Sequence, residues 1–319
     1  MKSNLKFRKD GTFRVVMMSD LQESAKYNPM SFRSVEVLLD EGDPDLVVWG
    51  GDNCYGPEIK CEQDLIEHLN VFTALFEKRG IPWVHVYGNH DHDAPIPIER
   101  QQEIYESYPT CLSQHTDNNV HGKSNFMIPI YNQKDEITLA LWGLDTNHKV
   151  DELDCLIEGG ARNKAYLPNR PAGSGEWGMV YFDQLQWYWN TSIDLEKRVG
   201  KKVPGLMCMH IAPFEFSVAC ANPELCVREG NYSEPLTGTT INTGLFSVLL
   251  QRGDIKAISC GHTHENDFDA EYCGIRMLWD ACVGYRCYGI DRLRGGRLFI
   301  FNEDNPAEFT TKMIRTLGK

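Results

Sequence analysis

Short apolar runs alternate with amphipathic segments along the first third of the chain, and each run ends in a polar cluster. Residues 13–18, 46–49 and 83–87 are such runs, and Asp, Asn or His follows each of them. Residues 31–39 and 62–79 instead carry apolar side chains at helical spacing. The alternation predicts buried strands joined by helices, which is typical of an α/β fold.

The same alternation continues, less regularly, in the rest of the chain. It predicts further strands at 137–144, 205–209 and 255–259, and helices at 182–199 and 243–252. Residues 275–313 alternate like antiparallel strands, while 147–177 and 213–240 are expected to be loops on the substrate side. There is no internal repeat, low-complexity run or clear linker, so we expect one domain over residues 1–319.

Composition excludes some classes of function. Asp and Glu number 45 against 32 Lys and Arg, a formal charge of -13, which argues against a surface for nucleic-acid backbones. No stretch reaches the roughly 18 to 20 apolar residues of a membrane span. The N-terminus lacks the apolar core of a signal peptide, so we expect a cytoplasmic protein, or a secreted one if a leader was removed. The eleven cysteines form no C-x-x-C pair, and only Cys220 and Cys226, in a polar loop, are considered for a disulfide.

The polar residues that follow predicted strands form a set of metal-ligand types. One strand-end Asp or His taken alone more often caps a turn, but five clusters at five strand ends favour a shared site. Carboxylate, amide and imidazole donors suit first-row transition metals, and the set is large enough for two ions about 3.5 to 4 Å apart. No complete G-x-S-x-G elbow, phosphate-binding P-loop or zincin helix is present. The set is Asp20, Asp52, Asn89, His90, His210, His262 and His264.

Taken in their order along the chain, the polar clusters resemble the signature blocks of the calcineurin-like metallophosphoesterases. Residues 210–216, 261–268 and 284–289 are similar to the small single-domain members of the purple acid phosphatase branch. The resemblance implies a two-sheet mixed β-sandwich flanked by helices, in four αββα layers, with a two-metal site that hydrolyses phosphate esters. The blocks are Asp20-Leu21-Gln22, Gly51-Asp52, Gly88-Asn89-His90-Asp91, His210 and Gly261-His262-Thr263-His264.

One block departs from the superfamily pattern. Gln22 stands where a His is usual, and Tyr55 occupies the Gly-Asp-x-x-Tyr position that supplies a ligand in purple acid phosphatases. The alternative is that Tyr55 only packs over the loop and Gln22 supplies a weak amide oxygen. A phenolate suits Fe(III), so the resemblance implies Fe(III) with Fe, Zn or Mn, or otherwise two Mn ions. It assigns Asp20, Asp52, Tyr55 and His264 to the first metal, and Asp52, Asn89, His210 and His262 to the second.

The resemblance also implies a mechanism, in which a metal-bound hydroxide attacks phosphorus and His90 assists catalysis. His92 is a further candidate for the pocket, and Asp91 or Asp267 for the acceptor that orients a ligand histidine. We expect a small phosphorylated substrate, with monoesters favoured. A phosphodiesterase on the same site, or a catalytically silent metal-binding scaffold, remains as the alternative.

Overall fold

The computed structural model describes residues 5–114, 119–149, 177–222, 224, 226–238 and 241–319. In chain order the strands are β1 (Leu5–Lys6), β2 (Thr12–Met18), β3 (Leu46–Gly50), β4 (Trp83–Val86), β5 (Phe126–Tyr131), β6 (Ile137–Gly143), β7 (Gly205–Cys208), β8 (Arg228–Tyr232), β9 (Ile255–Cys260), β10 (Asn266–Tyr272), β11 (Ile275–Trp279), β12 (Gly295–Asn302) and β13 (Phe309–Arg315). The α-helices are α1 (Pro29–Gly42), α2 (Glu62–Glu77), α3 (Ile98–Glu106), α4 (Phe182–Val199), α5 (Phe214–Ala221) and α6 (Leu245–Arg252).

The strands form two mixed sheets. One has the order β13-β12-β2-β3-β4, and the other has the order β1-β5-β6-β7-β9-β11-β10-β8. In the first sheet β2, β3 and β4 are parallel, and in the second β6, β7, β9 and β11 are parallel. Parallel neighbours need crossover connections, and α1 and α2 provide them after β2 and β3. The carboxyl ends of these strands therefore lie at one edge of each sheet.

Three apolar clusters show that the sheets and helices stack in four layers. Between the two sheets lie side chains from both, including Val15, Val48, Leu141, Leu206 and Leu278. The outer face of the five-stranded sheet packs against α1, α2 and α3, and that of the eight-stranded sheet against α4, α5 and α6. Each sheet is thus buried on both faces, which explains the continuous apolar runs of its central strands. The αββα arrangement predicted from the sequence is confirmed.

A buried ion pair joins the two sheets close to the metal-ligand side. Arg297 of β12 donates from Nε to Asp280 Oδ1 over 2.5 Å, and Asp280 directly follows β11 of the other sheet. The Arg297 side chain is 3% exposed and that of Asp280 is 0% exposed. Ser259 donates to the second carboxylate oxygen of Asp280, so the buried charge is fully paired.

All six strands and four helices predicted individually are confirmed to within a few residues. The expected loop at 213–240 was wrong in part, because it contains α5 and β8. The polar edge strand β8 lacks the alternation that a sequence pattern could detect. The tail is antiparallel between β12 and β13, but β11 also pairs in parallel with β9. The predicted loop at 147–177 lies almost wholly outside the described residues.

Two other sequence expectations concern cysteines and membrane segments. Cys220 and Cys226, the pair considered for a disulfide, are both free thiols. Within the described part of the chain, no helix has both the length and the apolar character that crossing a bilayer requires.

Candidate metal centre

Five strand ends bring buried polar side chains to one place between the sheets. Asp20 and Asp52 follow β2 and β3, and a backbone bond from Asp20 N to Gly51 O (3.0 Å) holds their loops together. His210 follows β7 and donates from Nδ1 to Gly50 O over 3.0 Å, which links the two sheets. His264 lies beyond the end of β9 and is 3% exposed.

The ligand atoms of this group lie close enough for shared coordination. His264 Nε2 is 3.2 Å from Asp20 Oδ1, and His210 Nε2 is 3.3 Å from Asp52 Oδ2 and 3.8 Å from Asp20 Oδ1. Ligand atoms of Asp20, Asp52 and His264 all lie within 4.8 Å of one another. The rings of His210 and His262 are 5.3 Å apart between centroids.

Among the described residues, several of these buried atoms have no hydrogen-bond partner, although Asp20 Oδ1 and His210 Nε2 keep the ion-pair contacts just given. Buried polar atoms normally find partners, and leaving one unpaired costs about 1–3 kcal/mol. Their concentration at one point, in carboxylate, amide and imidazole groups, fits the donor preferences of transition metals. The unpaired atoms are Asp20 Oδ1, Asn89 Oδ1, Asn89 Nδ2, His210 Nε2 and His262 Nε2.

The electrostatics of the group show how the two carboxylates are compensated. Burial on its own would lower the pKa of His210, but Asp52 and Asp20 outweigh it and raise that pKa to about 9. Burial would likewise raise the pKa of Asp52, but His210 beside it holds that pKa well below its usual range. Burial and the charge of His210 lower the pKa of His262 to about 3. A proton on His210 therefore balances the carboxylates, and a bound cation would take over this role.

The backbone at the site is strained and closely packed. Asp20, Asp52 and His262 have positive φ values of 55°, 51° and 81°, a region that costs L-residues energy and in which residues often cluster at functional sites. A Cβ at Gly88 would overlap Asp52 Oδ1 and the Asp52 backbone nitrogen. Only a glycine therefore lets the Asn89 loop approach the predicted bridging carboxylate.

His90 lies at the rim of this group, as expected for a residue that contacts substrate. Its backbone nitrogen donates to Asp52 Oδ1 over 2.8 Å, and its ring Nδ1 is 2.6 Å from Asp93 Oδ2. Burial lowers the pKa of His90, but Asp52 and Asp93 outweigh it, so the net shift is upward. Sequence reasoning missed Asp93, although an Asp three residues after a His in a turn is a detectable signal.

Trp177 is a second residue that sequence reasoning missed. Its ring lies 5.1 Å from that of His262 and 6.1 Å from that of His90, between centroids. It therefore places an aromatic ring against the rings of His262 and His90. No residue pattern around position 177 indicated this contact, because it joins segments far apart in the chain.

Gln22 and Tyr55, the two residues at which the sequence departs from the superfamily pattern, have different surroundings. Gln22 is buried, and its Nε2 donates to Asp52 Oδ2 over 2.8 Å, so its amide contacts the group through a hydrogen-bond donor. Tyr55 is near, since its backbone nitrogen bonds Glu23 O over 2.7 Å, and its ring lies 5.4 Å from the Arg286 guanidinium carbon. The role of Tyr55 as a metal ligand stays a prediction.

For two of the predicted ligand histidines, the structure shows acceptors other than those expected. His210 and His264 donate from Nδ1 to the backbone carbonyls of Gly50 and Tyr288, not to Asp91 or Asp267. Asp91 instead accepts from the backbone nitrogens of Asn53, Cys54 and Gly88, so it fixes the two loops that carry Asp52 and Asn89. Burial, with the charge of Asp52, raises the pKa of Asp91 to about 7.

His92 is the remaining candidate for the pocket. Its ring stacks on that of His148, at 5.0 Å between centroids and with planes 3° apart. Its place in the pocket stays a prediction.

Comparison with known proteins agrees with this geometry. A family model described as calcineurin-like phosphoesterase matches residues 13–266, which is most of the chain and includes every predicted ligand. The chain belongs to the calcineurin-like phosphoesterase family.

Similar proteins place this calcineurin-like phosphoesterase near purple acid phosphatases. It is 28% identical to "Probable inactive purple acid phosphatase 14" of Arabidopsis thaliana, over 90% of this chain and 74% of that protein. It is 26% identical to phosphatase DCR2 of Saccharomyces cerevisiae, over 81% of this chain and 45% of that one. A dimetal phosphatase from Danio rerio has the same fold, with a TM-score of 0.63, 13% identity and 96% of each chain covered. The resemblance inferred from the sequence is confirmed.

Proposed function

We propose that this calcineurin-like phosphoesterase hydrolyses phosphate esters, with monoesters favoured, at a centre of two metal ions. The observation that carries the proposal is the set of buried polar atoms at four strand ends that have no hydrogen-bond partner among the described residues. The dimetal phosphatase of the same fold supports the number of ions.

The residues would divide between two ions as the sequence suggested. Asp20, Asp52 and His264 would hold one, and Asn89, His210 and His262, with Asp52 shared, would hold the other. Two bound cations would polarise a phosphoryl oxygen of the substrate. They would also lower the pKa of a bound water towards neutral pH. Tyr55 is the proposed further ligand of the first ion. Because a phenolate suits Fe(III), we propose that this ion is Fe(III).

His90 is the proposed catalytic residue. Because Asp93 holds Nδ1 at 2.6 Å, the ring is fixed with Nε2 free to carry a proton. Asp52 and Asp93 shift the pKa of His90 upward against the effect of burial, which favours the protonated ring. A proton donor so placed can protonate the leaving oxygen of an ester, which is worth about 10²–10⁴-fold in rate.

Two alternatives keep the same site. A phosphodiesterase would differ only in the shape of the pocket around the metals. A catalytically silent metal-binding scaffold is favoured by the Gln22 amide that donates to Asp52, and by the word "inactive" in the name of the plant relative.

Metal titration of the stripped protein tests the proposal, with a nitrophenyl phosphomonoester and the matching diester followed in parallel. We expect hydrolysis to saturate near two ions per chain, with the monoester the faster substrate. His210→Ala should abolish turnover, whereas His121→Ala, at an exposed histidine bonded to Asp183, should not. His90→Gln should lower kcat about 10²–10⁴-fold with unchanged metal stoichiometry.

Two results would contradict the proposal. Tight binding of two metals without turnover of either ester would favour the silent scaffold. If the diester is hydrolysed much faster than the monoester, the activity is that of a phosphodiesterase and not of a phosphomonoesterase.

A further inference from the structure

A pair of thiols lies directly behind the predicted metal ligand His264. Cys282 follows β11, and Cys287 lies farther along the same loop, before β12. The two sulfur atoms and a ring nitrogen of His264 all lie within 4.8 Å of one another. Cys282 is fully buried, whereas Cys287 is partly exposed. The proposed hydrolysis uses neither.

The loop that carries the thiols also orients His264. The backbone oxygen of Tyr288, the residue after Cys287, accepts from His264 Nδ1 over 2.9 Å. The Cys282 sulfur lies 3.8 Å from the same oxygen, and the Tyr288 ring stacks on the His264 ring at 4.1 Å. A change at either sulfur is therefore next to the group that fixes a metal ligand.

One guanidinium contacts both sulfurs. Arg294 Nη1 is 3.1 Å from Cys282 Sγ and 3.8 Å from Cys287 Sγ, and the Arg294 side chain is only 4% exposed. Arg294 Nη2 also donates to the Cys287 backbone oxygen over 3.0 Å. These contacts keep the two thiols turned toward a common point in the reduced protein.

We infer that Cys282 and Cys287 are a redox modification site, at which a peroxide converts the two thiols into a disulfide and weakens metal binding through His264. The inference rests on the proposed metal centre. The sulfurs start within 4.8 Å of each other and must close to about 2.05 Å, so the loop that carries them must shift when the bond forms.

The step balances with hydrogen peroxide as the oxidant. The sulfur of Cys287 attacks one peroxide oxygen, the O–O bond breaks, and Cys287 sulfenic acid and one water result. The sulfur of Cys282 then attacks that of Cys287, the S–S bond forms, and the hydroxyl leaves as a second water with the Cys282 proton. The two thiols lose two electrons and two protons in total, and a dithiol reductant returns them.

Closing this pair would pull the Cys287–Tyr288 peptide toward Cys282, and so move the carbonyl that His264 Nδ1 bonds. Loss of the partner that orients a ligand histidine typically costs about 10–100-fold in metal affinity or activity. We therefore expect the oxidised protein to bind metal about 10–100-fold more weakly than the reduced protein.

The experiment treats the full-length, metal-loaded protein with hydrogen peroxide and follows two readouts. Alkylation and peptide mass mapping should find Cys282 and Cys287 joined, and a dithiol should restore both free thiols. Competition with a chromogenic chelator should show the weaker metal binding, reversed by the same dithiol. Neither readout needs turnover, so the inference can succeed or fail even if the protein hydrolyses no ester.

Two variants separate this site from other oxidations. Cys282→Ser should lose both the disulfide and the peroxide effect on metal binding, whereas Cys61→Ser, at an exposed thiol elsewhere, should keep them. The inference is overturned if both thiols stay alkylatable after oxidation, or if the disulfide forms with unchanged metal affinity. It is also overturned if Cys282→Ser responds to peroxide like the unsubstituted protein, since oxidation would then act at the metals.

Discussion

His85 should make the folded protein sensitive to acid, and the reason lies in how its neutral ring is held. The ring is fully buried in β4, where Nε2 donates to Gln102 Oε1 over 3.0 Å and Nδ1 accepts from the Ser113 hydroxyl over 2.9 Å. A second ring proton would require the Ser113 hydroxyl to turn and accept from Nδ1. Burial accordingly lowers the pKa of His85 to about 3, even though the Gln102 bond raises it.

The size of the effect follows from the difference between folded and unfolded states. The unfolded chain has a His pKa of about 6.5, so below that pH it binds a proton that folded His85 does not. The depressed pKa gives stability that is present above pH 6.5 and is lost as the pH falls toward 3. Each pH unit in that window removes about 1.4 kcal/mol, so about 2 kcal/mol is lost at pH 5.

Urea unfolding near pH 7.5 and near pH 5 measures this loss, with His85→Gln as the variant that cannot titrate. The substitution should destabilise the protein at both pH values. Between pH 7.5 and pH 5, however, the free energy of unfolding of the variant should fall by about 2 kcal/mol less than that of the unsubstituted protein. His121→Gln, which removes an exposed histidine instead of a buried one, serves as the comparison variant. If His85→Gln loses as much stability on acidification as the unsubstituted protein, the argument is refuted.

Three further predictions test the ion pair between the sheets, the glycine at the site and the iron ligand. Arg297→Met should cost about 3–5 kcal/mol in urea unfolding, because it leaves Asp280 charged and buried, and adding Asp280→Asn should recover part of that cost. A cost under about 1 kcal/mol would contradict this. Gly88→Ala should weaken metal binding about tenfold or more in chelator competition, since its Cβ overlaps Asp52; unchanged affinity would disprove the close approach. Iron-loaded protein should show a visible tyrosinate band that Tyr55→Phe removes, and a colourless, fully active iron form would eliminate the Fe(III) assignment.

The positions of the predicted ligands could be inferred from the sequence because they depend on local pattern and on a general rule. Asp20, Asp52, His210 and His264 each lie within a few residues after an apolar run, and parallel strands bring such positions to the same edge of a sheet. Asp20, Asp52, His210 and His264 are accordingly found together, although the chain separates the first from the last by most of its length.

The supporting contacts could not be inferred in the same way, because they depend on the path of loops. The acceptors for His210 and His264 are backbone carbonyls, which every residue carries and no sequence pattern marks. Trp177 and Arg294 reach the site from segments whose positions are set by tertiary packing. The strand β8 was missed for a related reason: a polar edge strand is stabilised by pairing with β10 and not by burial of alternate side chains.

The strained backbone of the site can be recognised in the sequence from glycines that precede predicted ligands. Glycine precedes three of the predicted ligands, as Gly51-Asp52, Gly88-Asn89 and Gly261-His262. A Cβ at each glycine would collide with a side chain of the site: His210 at Gly51, Asp52 at Gly88, and Ser19 and Asp20 at Gly261. Asp52 and His262 themselves have positive φ, a conformation that costs energy unless the surroundings enforce it. At the end of a buried strand, a glycine followed by a ligand-type residue therefore indicates a place where strained backbone brings predicted metal donors together. This pattern distinguishes the site from ordinary turns capped by Asp or His.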